Sequence, residues 1–148
     1  MRLKYRRLFL GAALVAFLAV SAVLARWLST EGAERGVVVD LLEAQARGDA
    51  AGMLAEIDAC GDACAERVRA NAARLRQPGG AKVEIVRLES QTSRALGSTT
   101  GPTRVVWKTP GRLTVVQCID VARTGSVLSG MSVTLRGVSV PIRRTADC

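Results

Sequence analysis

Few side chains in this sequence are of a type and spacing that could carry chemistry. Asp40 and Glu43 stand three residues apart, so a helix would place both carboxylates on one face, as a paired acid and base requires. Charges at helical spacing more often form a solvated face. Asp120 closes the run Cys118-Ile119-Asp120, where it could point into an apolar pocket or pair with an arginine at a sheet edge. Trp107 is the only aromatic residue after Trp27; a lone tryptophan offers the largest area for burial and is read first as a core ring. Trp107, Asp40 and Asp120 are the candidate pocket residues. The chain of 148 residues contains no histidine, which excludes Ser-His-Asp and Cys-His nucleophile systems and His-ligated zinc. Serines and threonines abound from Ser90 onward, but a hydroxyl without a base is not a nucleophile. Gly97–Gly101 lacks the GxxxxGK pattern of a phosphate loop. No catalytic, cofactor-binding or metal-binding residue is assigned, so the sequence leans against an enzyme while leaving the question open.

Four cysteines remain: Cys60, Cys64, Cys118 and Cys148. An even number in an exported domain reads as two disulfides, for which three connectivities exist. The preferred pairing is Cys60–Cys64, closing a helix–helix corner, with Cys118 in a strand holding Cys148 at the chain end. Zinc is disfavoured because the spacing is CxxxC and no histidine assists; the same spacing departs from the CxxC redox motif.

Whether such a domain is exported depends on the start of the chain. Leu8–Ala25 is 18 residues without a charge, about 27 Å as a helix and close to the thickness of a bilayer's hydrocarbon core. Arg2, Lys4, Arg6 and Arg7 precede it and hold the N-terminus in the cytoplasm, with everything after Leu28 outside. Arg26 and Trp27 suit a membrane interface. A signal peptide cleaved after Ala25 is the alternative, though its apolar core is ordinarily shorter. Arg6-Arg7-Leu8-Phe9-Leu10 resembles the core of a twin-arginine export signal, or is simply a basic stretch followed by apolar residues. A pilin-type leader is rejected because the apolar run has no Glu. The expected organisation is therefore residues 1–28 as cytoplasmic tip and anchor, and 29–148 as an extracytoplasmic domain.

The net charge of +8 points the same way. The first 26 residues carry five positive charges and no acid, and the remainder has 16 basic against 13 acidic residues. A mildly basic domain with one aromatic ring cannot build a base-stacking platform, so no nucleic-acid partner is expected.

The elements that would position these residues follow from period and punctuation. Ser29-Thr30-Glu31 reads as a helix start, and residues 33–47 as an amphipathic helix. Gly48 can stop it and Asp49 can cap the next, whose apolar face is Met53, Leu54 and Ile57. Arg47-Gly48-Asp49 spells an adhesion tripeptide but serves as this stop and cap. After Gly61-Asp62 a third helix carries Val68, Ala72 and Leu75 inward and Arg67, Arg69, Arg74 and Arg76 outward. Gln77-Pro78-Gly79-Gly80 ends the helical half. Strands are expected over Lys82–Ser90, which is mixed on both faces, over Thr103–Lys108, Arg112–Val121 and Ser129–Val138, with a short one or a bulge at Thr92–Leu96. Gly97–Pro102 reads as a loop, Thr109-Pro110-Gly111 as a turn, and Pro141 argues against a further central strand. Helices first and sequential hairpins after imply an α+β class: an N-terminal transmembrane helix, then about three helices on a curved antiparallel sheet of about four strands.

The segment Asp40-Leu41-Leu42-Glu43-Ala44-Gln45-Ala46-Arg47-Gly48-Asp49-Ala50-Ala51-Gly52-Met53-Leu54 resembles the opening of SnoaL-like members of the nuclear transport factor 2-like superfamily. The resemblance in element order extends over most of residues 31–140. It implies an α+β cone with a pocket between helix and sheet. The catalytic Asp, His or Tyr of its enzymes has no counterpart here, since the domain lacks His and Tyr, and no such residue carries over. An anchor joined to such a domain also looks like exported accessory proteins of bacterial envelopes. The expected role is a single-pass, membrane-anchored accessory or binding domain with an envelope protein partner and no cofactor. The alternatives are a small-ligand carrier or enzyme using the cone's pocket, and a cleaved secreted factor.

Overall fold

The computed structural model describes residues 2–78, 82–92, 97–126 and 130–148, without the side chains of residues 2–8, 27, 30 and 31. Its first element is a 46-residue helix, α1 (Arg2–Arg47), which contains both the apolar run and the first helix of the domain. The helix start expected at Ser29 is absent. Ser29 Oγ donates to the carbonyl of Arg26 at 2.8 Å, so its hydroxyl bonds back along a continuing helix instead of accepting from free N–H groups at a new one. The division between residues 28 and 29 falls inside this helix.

The stop at Gly48 has a simple cause. Gly48 adopts φ +77°, its N–H donates to Gln45 O, and the N–H of Asp49 donates to Ala44 O, the paired bonds of a Schellman ending. Asp49 then caps α2 (Ala50–Glu56) by accepting from Gly52 N at 2.9 Å. The third helix, α3 (Asp62–Leu75), turns Val68 and Ala72 inward.

Strands β1 (Glu84–Ser90), β2 (Thr99–Lys108), β3 (Val115–Ser126) and β4 (Gly130–Val138) form an antiparallel sheet in sequence order. β2 starts where a loop was expected. Thr99, Thr100 and Gly101 pair with Arg123, Ala122 and Val121. Pro102 fits within this central strand because β1 has already ended at Ser90: its carbonyl accepts from Gln91 N, and the N–H it lacks would point to that same vacated side. β3 likewise begins and ends later than expected, at Val115 and Ser126. A bulge explains the mixed faces of the first strand, and a second one interrupts the last. The register shifts between Ile85 and Arg87 in β1, and opposite Asp120–Val121 in β4, so the inward positions change parity partway along each strand. The suggested strand at Thr92–Leu96 lies, after Thr92, outside the described residues, as does Ser129.

The C-terminal part of α1 crosses the inner face of this sheet. Val38, Leu41 and Leu42 pack with Met53, Ile57, Val68, Ile85, Val105, Trp107, Ile119, Val121 and Leu135. Ile57 forms a bridge to Leu135 and Asp58 N donates to Leu135 O, which covers the free side of β4. Residues after β4 continue beside β3, with Ser139 N on Cys118 O and Ile142 N on Val116 O. The tail then crosses the outer face, where the Arg104 guanidinium donates to the carbonyls of Ala146 and Arg144. The disulfides are Cys60–Cys64 and Cys118–Cys148.

Candidate functional site

The inner face carries two polar clusters, one at each end of the apolar core. Glu34 extends the stripe of Val38, Leu41 and Leu42 one turn toward the N-terminus, while Arg123 extends the inward series Gln117, Ile119 and Val121 of β3. Packing α1 across the sheet therefore brings the two together. Both are essentially inaccessible, at 0% and 1% exposure. Glu34 Oε2 accepts from Arg123 Nη2 at 2.5 Å, from Arg123 Nε at 3.1 Å and from Thr92 Oγ1 at 3.2 Å; Glu34 Oε1 accepts from Thr103 Oγ1 at 2.7 Å. Ser90 joins through Thr103 and Thr92. Four donors on one carboxylate leave it little capacity as a proton acceptor for a substrate. The arginine is not saturated: among the described residues its buried Nη1 has no hydrogen-bond partner. Buried donors ordinarily find an acceptor, so this end of the core has a cation with bonding capacity to spare.

The pair forms part of the wall of a cleft of about 460 Å³ between α1 and β1, lined also by Leu28, Gly32, Arg35, Val86, Leu88 and Arg87. Arg35 sits one residue beyond Glu34 on α1 and donates from Nη2 to Ile85 O at 3.3 Å. Arg87 is placed beside the cleft by the β1 bulge and pairs with Glu89 at 2.7 Å. Three arginines thus line the cleft with Glu34: Arg123 is bonded to that carboxylate, Arg87 to Glu89, and Arg35 to a backbone carbonyl. Among the described residues no three His, Cys, Asp or Glu side chains gather into a metal-holding group.

The residues expected to form a pocket are elsewhere. Trp107 is buried in the core at the opposite end of the sheet, where its Nε1 donates to Gln117 Oε1 at 2.9 Å and Gln45 Nε2 donates to the same oxygen. Asp40 is exposed on α1, and Glu43 pairs with Arg47 at 3.9 Å. Asp120 is exposed on the outer face of β3, a strand flanked on both sides and so not the sheet edge imagined for it. None of the three lines the cleft. Arg26 ends the apolar window Phe9–Arg26, and the side chain of Trp27 lies outside the described residues. The known proteins offer no analogy: no family model, no curated protein and no solved structure matches this chain.

Proposed function

We propose that this chain is a single-pass, membrane-anchored accessory protein whose α+β domain stands on the extracytoplasmic side and binds through the cleft between α1 and β1. The observation that carries the reading is α1 itself. Its window Phe9–Arg26 is long and apolar enough to cross a bilayer and is entirely unburied, yet the same helix runs on without interruption into the core at Val38. In water those exposed side chains, Phe9 at 75% and Phe17 at 68% among them, would be a severe liability; in lipid they are the anchor. The two disulfides favour an oxidising compartment, and the basic tip before the span favours a cytoplasmic N-terminus.

A small-ligand carrier of the nuclear transport factor 2-like kind is the second reading, favoured by the position of the cleft between helix and sheet. Cleavage after Ala25 would instead release a secreted factor whose first helix begins at Arg26.

The test is full-length chain expressed in a bacterial host. It should resist alkaline extraction from membranes, be digested by protease added from outside, and show four alkylation-resistant cysteines. A soluble cytosolic chain with free thiols would refute the anchor and the compartment together. Affinity capture from solubilised membranes separates the two binding modes: an envelope protein should co-purify, whereas recovery of a metabolite alone would favour the carrier.

A further inference from the structure

We infer that the cleft between α1 and β1 takes the phosphate of an anionic lipid headgroup from the membrane in which the chain is anchored. The inference rests on the anchored reading above and adds the ligand class. Its first support is charge. Arg35, Arg87 and Arg123 line the cleft, where Glu34 is the acidic lining residue and its oxygens already accept four hydrogen bonds, while Glu89 beside the cleft offsets Arg87. Each guanidinium has five N–H donors. Arg35 and Arg87 each show one nitrogen engaged, on Ile85 O and Glu89 respectively, and the planar fork of the group matches phosphate oxygens. Arg123 supplies the independent observation, a buried wall residue whose Nη1 lacks a partner among the described residues.

The second support is height. Leu28 lies about 3 Å, Gly32 about 9 Å and Arg35 about 13 Å beyond the end of the apolar window at 1.5 Å per residue. The headgroup layer occupies roughly 5–7 Å on each side of the hydrocarbon, and helix tilt lowers these heights further. Leu28 therefore lies within the headgroup layer and Gly32 just above it, and the Arg35 backbone stands roughly 6 Å above that layer, a gap that an extended arginine side chain spans. Leu28 and Val86 are exposed at 60% and 52% and give the mouth an apolar rim suited to the glycerol region. Lipid anchored beside the mouth also has a far higher local concentration than any soluble anion.

The test uses full-length chain in nanodiscs of phosphatidylcholine with a minority of phosphatidylglycerol, with retained lipid read by native mass spectrometry. Wild type should retain phosphatidylglycerol selectively. The double variant Arg35→Gln/Arg87→Gln removes exposed donors, keeps the Glu34–Arg123 pair and the cytoplasmic basic cluster, and should lower that retention roughly tenfold with an unchanged melting temperature. Arg112→Gln, in the turn at the other end of the sheet, should leave it unaltered. Equal retention by wild type and double variant overturns the proposal. So does displacement of the lipid by millimolar inorganic phosphate, which would make the cleft a site for small free anions. A chain that does not enter nanodiscs refutes the anchored reading itself, whereas insertion without lipid selectivity refutes only this proposal.

Discussion

Glu34 and Arg123 illustrate how much a buried charge depends on its partner. Removing one member leaves the other desolvated and unpaired, which is far more damaging than replacing both. Glu34→Ala should therefore destabilise the domain by about 3–5 kcal/mol, while Glu34→Leu with Arg123→Met should recover most of that loss. Denaturant melts of the single and double variants measure this directly; single and double losses that simply add would mean the pair is not coupled. Thr103→Val tests the same carboxylate from another side, since it deletes the 2.7 Å donor to Oε1 at a cost of roughly 1–3 kcal/mol. The Gln45–Gln117–Trp107 cluster at the other end shows the same economy in neutral groups: one glutamine amide satisfies an indole N–H, a second glutamine and the carbonyl of Ser139.

At the scale of elements, the junction between α1 and α2 is set by two adjacent residues with different tasks. Gly48 needs its positive φ, and a Cβ there would also lie 2.9 Å from Arg76 Cδ. Gly48→Ala should cost at least about 1–2 kcal/mol from the left-handed backbone alone. Asp49→Ala removes only the cap on Gly52 N and should cost about 1 kcal/mol. Thermal unfolding should rank the two in that order, and the reverse order would show that the ending of α1 is not set by Gly48. The bulges in β1 and β4 work differently: each allows an outer strand to keep apolar residues inward on both sides of an interruption. In β1 the same bulge exposes Val86 and sets Arg87 beside the cleft.

For the whole molecule, the disulfides fasten two distant parts of the domain. Cys60–Cys64 ties the corner before α3, whereas Cys118–Cys148 closes a separation of 30 residues and holds the tail across the outer face of the sheet. Loop-closure entropy assigns roughly 3–4 kcal/mol to the longer bridge and about 2 kcal/mol to the shorter. Cys118→Ser/Cys148→Ser should thus lower stability more than Cys60→Ser/Cys64→Ser when both are compared by chemical denaturation. A larger loss from the short bridge would mean that the corner before α3, not the tail, limits stability. The unbroken α1 has a further consequence at this scale: no loop separates the apolar window Phe9–Arg26 from the part of the same helix that packs in the core.

Local physics determined much of this protein in advance. The charge-free run, the glycine stop at residue 48, the aspartate cap, the inward face of α3 and the α+β order are all encoded within a few residues of where they act, so the sequence alone announced them; Ile57, read with the apolar face of α2, instead lies just past that helix in extended backbone and bridges to Leu135. Pairing across the chain decided the remainder. Ser29 resembled a helix start until the continuing helix gave its hydroxyl a carbonyl to bond; Gly101 and Pro102 resembled a loop until β3 offered them partners. The polar cluster was partly legible, since Glu34 lies on the apolar stripe of α1 and Arg123 in the inward series of β3. Neither signal says that the other exists, because 89 residues separate the two charges and only the crossing of α1 over the sheet brings them to 2.5 Å. Charge in a sequence is a one-body property, whereas a site is a relation among residues, and that relation exists only once the chain has folded.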